Sequence, residues 1–220
     1  MTRFVDLSHP IEGGMTTYPG LPAPEVSEHL SREASASKYA PGTTFSIGRV
    51  AMVANTGTYV DAPYHRFAAG TDVAGLPLER LADLPGVVFD ARGLGRAIGP
   101  ELFGGVRLEG CAALVLTGWD SRWRKPEYGE GHPYLTRAAA ESLVAAKAAL
   151  VGIDSLNIDD TADLARPAHT VLLEAGIPIV EHLTNLAPLH GTAFRFFAVP
   201  APFEALGSFP VRAFARYLGM

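Results

Sequence analysis

The sequence predicts an α/β fold: one domain over residues 1–220, with a mixed β-sheet partly closed into a barrel-like core and helices flanking it. Three observations carry this. Short apolar runs rich in branched residues recur along the chain, bounded by Gly or an acid, as buried strands are. Two strand–helix–strand units follow one another between Val115 and Val180, which calls for parallel pairing. The 23 glycines and 17 prolines are scattered through the 220 residues rather than gathered into a linker, so nothing divides the chain.

In chain order, Phe4-Val5-Asp6-Leu7 alternates as a short strand. A long loop follows, punctuated by His9-Pro10 and Tyr18-Pro19-Gly20. Residues 43–54 (TTFSIGRVAMVA) alternate again and are rich in β-formers. Asn55-Thr56-Gly57-Thr58 reads as the loop after them, and Asp61-Ala62-Pro63 interrupts regular structure. Residues 86–90 and 112–118 read as buried strands. Residues 136–149 form the clearest helix: Thr136 suits the N-cap, and Leu143, Ala146 and Leu150 recur at helical spacing. Residues 150–154 make the next strand. Residues 168–175 make a short helix closed by Gly176, and 177–181 a strand carrying a carboxylate at its end. Residues 194–199 and 209–214 complete the sheet. Both crossovers are expected to be right-handed.

Composition removes several classes of function. The net charge of −5, with 48% hydrophobic and 19% charged residues, excludes a disordered chain and lacks the basic footprint of a nucleic-acid binder; Arg122, Arg124 and Lys125 read as a surface face. Cys111 is the single cysteine, which excludes a disulfide framework and a thiolate zinc site. No apolar run reaches 18 residues, so no membrane span is expected. The N-terminus lacks a signal peptide's apolar core, so the expected location is cytoplasmic. Histidine and carboxylate remain as the chemistry to look for.

Four stretches resist a packing explanation. Asp61 and His65 stand four residues apart around Pro63, a spacing that suits a hard metal site and equally a capped surface turn. Residues 152–160 end a strand in a cluster of acids, where α/β sheets collect ligands or simply solvate a turn. His169 and Glu181 lie twelve residues apart across one helix-to-strand turn and could converge on a common point. Asp6-Leu7-Ser8-His9-Pro10 with Tyr18 could wall a pocket or pack over a loop. His182 follows Glu181 on the strand and is expected to point the other way, as structure. His132 is expected to be exposed, and Trp119 and Trp123 to line either the pocket or a subunit interface.

Taken in order, these features resemble the cyclase family of metal-dependent hydrolases, whose best-known activity is kynurenine formamidase. The family's motif His-x-Gly-Thr-His-x-Asp-x-Pro-x-His stands here as Asn55-Thr56-Gly57-Thr58-Tyr59-Val60-Asp61-Ala62-Pro63-Tyr64-His65, with full spacing. Asp6-Leu7-Ser8-His9-Pro10, Tyr18-Pro19-Gly20, Thr117-Gly118-Trp119, Gly152-Ile153-Asp154-Ser155, Ala168-His169 and Glu181-His182-Leu183-Thr184-Asn185-Leu186 match in the same order, so the resemblance runs from about residue 4 to 215. It implies a swivelling β/β/α-type fold, a homodimer or homotetramer, a small-molecule substrate and a two-metal site. In that site Asp61 and Glu181 would bridge the metals, His169 would bind the second metal, His65 would accept and return a proton, and Tyr18 would contact the substrate ring.

The departures are as informative. The positions matching Asn55 and Tyr59 are histidines on the family's first metal. Neutral Asn is a weak ligand, and Tyr binds a metal well only after losing a proton with pKa near 10. Two alternatives follow. One is a single divalent metal, zinc or manganese, on Asp61, His169 and Glu181, serving a hydrolase of a small aromatic amide, lactam or ester. There His65 would be general base, Tyr59 would donate to the oxyanion, and Tyr18 and Asn55 would contact the substrate. The other has no metal: Asn55 and Tyr59 would hydrogen-bond the carboxylates in its place, in a cyclase, a dehydratase or a small-molecule-binding protein.

Overall fold

A computed structural model describes residues 3–219, and the structural statements here concern those residues. The elements in order are β1 (Phe4–Asp6), β2 (Glu25–Leu30), α1 (Arg32–Ala36), β3 (Ile47–Ala51), β4 (Tyr59–Asp61), β5 (Leu84–Asp90), β6 (Ala97–Ile98), β7 (Ala112–Leu116), β8 (Tyr134–Leu135), α2 (Arg137–Ala145), β9 (Leu150–Ile153), α3 (Pro167–Glu174), β10 (Ile179–Glu181), β11 (Phe194–Phe197), β12 (Ser208–Pro210) and β13 (Phe214–Tyr217). Nine strands form one sheet in the order β1-β13-β11-β5-β7-β9-β10-β4-β12. β5, β7, β9 and β10 run parallel, the pairing the two strand–helix–strand units called for. The outer strands join antiparallel, so the sheet is mixed.

The sheet curls. Only Val211, Arg212 and Ala213 separate β12 from β13, yet β12 is the outermost strand at one end and β13 is second from the other. Three residues span about 10 Å, so the two ends must approach each other. Hydrogen bonds close the gap: Val211 N–H donates to Thr58 C=O at 2.9 Å, and Ser8 Oγ donates to Val211 C=O at 3.1 Å. The result is the half-barrel the sequence predicts.

Strand alternation sorts the core into two layers. Leu114, Leu116, Leu150 and Val180 face the concave side, packed with Val60, Phe194, Phe196 and Ala215. Ala113, Val115, Val151, Ile153 and Ile179 face the convex side, under α2 and α3 through Ala139, Ala140, Leu143, Leu172 and Leu173. Full burial of each Leu, Ile or Val stabilises by about 1.5–3 kcal/mol, and β7 is buried along its whole length. Thr136 caps α2 as expected, its side chain accepting from Ala139 N–H. The helix ends at Ala145 rather than 149 because Lys147 turns to φ 56° and delivers the chain into β9.

Other stretches also differ from expectation, among them the short pair β6 and β8, which the sequence reading did not mark. Residues 25–36, read as loop, hold β2 and α1. β2 pairs with β3 as a two-stranded arm separate from the main sheet. Its sequence shows no apolar face because the arm has none buried: Val26, Ile47 and Val50 are exposed. Residues 209–214, read as one strand, are the end of β12 and the start of β13, broken where the chain changes ends of the sheet. Residues 59–61, read as the approach to a break, are β4. No helix is long and apolar enough to cross a membrane.

Candidate active site

Three strand ends and one helix meet at the convex face near the end of β10. β4 pairs with β10 so that Tyr59 opposes Glu181 and Asp61 opposes Ile179. On its other side β4 pairs with β12, setting Ser208 opposite Asp61. Period-two alternation therefore puts Tyr59, Asp61, Glu181 and Ser208 on one face, while Val60 and Val180 turn into the core. α3 lays His169 over them.

His169 is held from behind. Asp159 accepts from the Ala168 N–H at 2.6 Å and the His169 N–H at 3.0 Å, and its Oδ2 lies 2.7 Å from His169 Nδ1. That side chain thus satisfies the exposed amides of α3 and fixes the imidazole in one act. Nδ1 carries the proton to Asp159, so Nε2 faces the site, 3.5 Å from Asp61 Oδ2 and 3.7 Å from Glu181 Oε1. Burial opposes a charge on this ring, but Asp159, Asp61 and Glu181 outweigh it and hold its pKa up at about 10.

The carboxylates are fully buried. Burial raises the Asp61 pKa, yet His65, His169 and Ser208 win and keep the group below its usual value. Glu181 is pushed up to about 7, chiefly by burial, with Asp61 adding to it. Its Oε1 accepts the Ile158 N–H at 2.6 Å. Its Oε2 accepts the Tyr59 hydroxyl at 2.5 Å and Asn157 Nδ2 at 3.4 Å. Burial and then Glu181 push Tyr59 well above its ordinary pKa, so it is a phenol that donates. Asn55 Nδ2 reaches Asp61 Oδ1 at 3.5 Å and Ser208 Oγ at 3.3 Å.

His65 ends the short turn Pro63–His65 that follows β4. Ser208 gives its one proton to Asp61 Oδ1. The 3.0 Å contact between Ser208 Oγ and His65 Nδ1 therefore has His65 as donor, which leaves Nε2 with a lone pair. The turn is clasped by glycines: a Cβ on Gly207 would stand within 3.0 Å of the His65 backbone, and one on Gly70 within 2.8 Å of Pro63 and Tyr64.

A cavity of about 400 Å³ opens over this floor, lined by Asn55, Tyr59, His65, His169 and Glu181 below and by Tyr18, Pro19 and Leu21 on an apolar wall. All seven residues singled out from the sequence (Tyr18, Asn55, Tyr59, Asp61, His65, His169 and Glu181) come together here. The donor atoms that lie mutually within 4.8 Å are those of Asp61, His65 and His169; Glu181, expected as a metal ligand beside Asp61 and His169 with His65 or water as a further one, lies outside this set and connects to it through His169. The set suits a divalent metal: Asp61 Oδ2 is buried with no hydrogen-bond partner among the described residues, and His169 carries the carboxylate behind it that ordinarily orients a metal-binding imidazole.

Sequence reasoning missed Ser208, Asn157 and the role of Asp159. The last lies in the acidic cluster that was singled out, ten residues before His169; a lone Ser between Gly207 and Phe209 offers no signal. Asp154, from the same cluster, accepts from Thr117 and Gly118 and ties β7 to β9. His132 is buried rather than exposed, against Ser155 and Pro133. His182 is buried on Tyr128. The two tryptophans lie away from the cavity: Trp119 Nε1 donates to Tyr128 C=O and Trp123 stacks on His9.

A family model for cyclases matches residues 5–160. Kynurenine formamidase from Bacillus cereus is 28% identical over 215 residues, covering 98% of each chain, and the Bacillus cytotoxicus protein of that name is 28% identical over 217. Among solved structures, isatin hydrolase A from Labrenzia aggregata superposes with TM-score 0.84 at 22% identity, over 99% of this chain and 94% of that one. A protein described as a potential metal-dependent hydrolase with cyclase activity superposes at TM-score 0.80 and 23% identity, over 99% and 98%. The likeness to the solved structures is one of fold.

Proposed function

The chain belongs to the cyclase family, and from that membership we propose that it hydrolyses a carbon–nitrogen bond in a small aromatic amide or lactam, an aromatic ester being the nearest variant, with one divalent metal. The observation that carries this reading is the charge at the cavity floor. Three buried carboxylates, Asp61, Asp159 and Glu181, surround one imidazole, and an apolar interior does not tolerate such an excess uncompensated. Asp61 and His169 would hold zinc or manganese, with Glu181 completing the set and His65 left free as the base. When bound, such an ion acidifies a water and polarises a carbonyl.

The chain's own residues supply the rest. His65 Nε2 takes the proton from the attacking water and returns it to the departing amine nitrogen. Ser208 keeps that imidazole in the required tautomer. Tyr59 and Asn55 place neutral donors on Glu181 and Asp61, where the family motif has two histidines; an oxyanion would compete with Glu181 for the Tyr59 proton. Tyr18, Pro19 and Leu21 offer a flat apolar wall to an aromatic ring. Relatives named for kynurenine formamidase and a fold shared with isatin hydrolase support an aryl formamide and a cyclic aromatic amide as first assays.

The test is metal analysis of protein purified without chelator, together with hydrolysis of formanilide and isatin. About one metal per chain is expected, with turnover lost on chelation and restored by zinc or manganese. Absence of turnover in metal-loaded protein would overturn the hydrolase. A second reading, a metal-free cyclase, dehydratase or binding protein, is favoured by His169 itself, which can stand as an internal cation among the three carboxylates. Its outcome is a metal content well below one per chain and activity or binding indifferent to chelator.

A further inference from the structure

Two arginines at the cavity mouth have no role in the chemistry described so far. Arg66 and Arg166 both line the cavity. Among the described residues, neither has a carboxylate within 4 Å, although eight other arginines do. Both are anchored at the start of α3, Arg166 as the residue before it and Arg66 on Thr170. Arg66 Nε donates to Thr170 Oγ1 at 3.3 Å. Thr170 Oγ1 in turn donates to Ala165 C=O, and the Thr170 N–H donates to Arg166 C=O at 3.0 Å. With Nε engaged and the guanidinium over the Phe67 ring at 5.3 Å, the two terminal nitrogens of Arg66 have no hydrogen-bond partner among the described residues.

Arg166 is fixed as firmly. It stands immediately before Pro167 with φ 47° and ψ 60°, a conformation disfavoured for a bulky residue and for one that precedes proline. Its Nη1 donates to Asp160 C=O at 3.0 Å, while the Asp160 carboxylate is paired with Arg96. Burial raises the pKa of the Tyr18 hydroxyl on the apolar wall, and the Arg166 guanidinium opposes that rise. A strained residue held at a pocket rim by several bonds is a mark of functional positioning.

The cavity is thus polar in the electrical sense, with buried carboxylates at the floor, guanidiniums at the mouth and an apolar wall between. The guanidiniums at the mouth attract an anionic substituent whatever cation compensates the carboxylates at the floor. Guanidiniums match a carboxylate's two oxygens with paired N–H donors.

We propose that Arg66 and Arg166 form a carboxylate clamp, so that the substrate is an aromatic amide bearing an anionic group, held with the anion at the mouth and the amide at the floor. That the far group is an amide rests on the hydrolase reading above; that the near group is an anion rests on the two guanidiniums alone.

Binding and turnover test the two halves separately. Calorimetric titration of the metal-loaded protein with benzoate and with benzamide should give benzoate an advantage of about tenfold or more. That advantage should shrink with salt and largely vanish in Arg66→Gln with Arg166→Gln. In turnover, the ratio of kcat/KM for 4-formamidobenzoate over formanilide should exceed one and fall about tenfold in the same variant. Should Arg166→Gln lose its Asp160 bond and fail to fold, the exposed Arg66→Gln and the charge-keeping Arg166→Lys carry the same comparison, since lysine lacks the paired donors. Equal affinity for benzoate and benzamide overturns the clamp, as does a benzoate advantage that survives loss of both guanidiniums. If neither formamide is turned over but the arginine-dependent preference for benzoate holds, the hydrolase reading fails and the clamp stands. If formanilide and its carboxylate are turned over alike, the reverse is true.

Discussion

At His169 everything turns on which atom faces the site. Asp159 holds Nδ1–H at 2.7 Å, and that bond alone keeps Nε2 pointed at Asp61. Asp159→Asn leaves the amide cap of α3 partly served but removes the charge behind the ring, and metal affinity should fall about 10–100-fold. Competition with a chromophoric chelator measures it; unchanged affinity would mean that His169 is not a ligand. Tyr59→Phe leaves Glu181 short of a buried donor and should destabilise by about 1–3 kcal/mol in urea unfolding. Asn55→His with Tyr59→His restores the family's motif, and the expected result is a second metal per chain by elemental analysis. At this scale the sequence was readable where a spaced motif existed: Asp61, His65, His169 and Glu181 stand in a recognisable order. Ser208 was not, because its meaning comes from a strand register that sets it opposite Asp61 across 147 residues, and no local pattern encodes that.

The turn carrying His65 makes a prediction at the scale of elements. It is clasped against the Gly207 backbone, where Ala62 N–H also donates to Gly207 C=O at 2.7 Å. Gly207→Ala must displace His65 by a few tenths of an ångström or more. We expect kcat to fall by about a hundredfold for a stability loss of about 1–3 kcal/mol, read from kinetics and thermal melts on the same preparation; equal activity would show that the turn relaxes freely. The β2–β3 arm makes another. Its Val26, Ile47 and Val50 are exposed, and exposed apolar residues on an extended arm suit burial against a second copy of the chain. The homodimer or homotetramer that the family resemblance implies should then fall to monomer in Val26→Asp with Val50→Asp, by light scattering, and a monomeric wild type would remove the arm as an interface. The parallel strands and α2 could be read from the sequence because each follows from its own apolar run and cap. Of the arm, β3 lay within the alternating run 43–54, whereas β2 could not be read, since Glu25-Val26-Ser27-Glu28-His29-Leu30 shows no apolar periodicity.

For the whole molecule, curling the sheet brings the N-terminal stretch against the 119–129 loop. His9 stacks on Trp123 with centroids 4.1 Å apart, and its Nε2 is buried without a partner among the described residues. Burial lowers its pKa to about 4, with Asp120 opposing. A folded value below the unfolded 6.5 means that the native state prefers the neutral ring. Its contribution is therefore complete above about pH 6.5 and is lost as the pH falls towards 4. Asp154, raised by burial to about 6, acts in the opposite sense over the same range, so the informative comparison is between variants. His9→Phe should show a flatter fall in Tm between pH 7 and pH 4.5 than the wild type, and parallel curves would dismiss the residue. The fold class and the partial closure of the sheet were legible at this scale, but the means of closure was not: the three-residue hop between β12 and β13 reads as one strand.

The pairing of β4 with both β10 and β12 also dictates when the site can exist. Tyr59 meets Glu181 across 122 residues of chain and Asp61 meets Ser208 across 147. During synthesis, the first half of the motif leaves the ribosome long before its partners do, and its carboxylate waits without the serine that orders it. Contacts this distant in sequence form late. A metal on this chain is therefore captured by an almost finished fold and cannot seed it, as zinc seeds a finger. Nascent chains halted before residue 208 should have most of their parallel strands and no site.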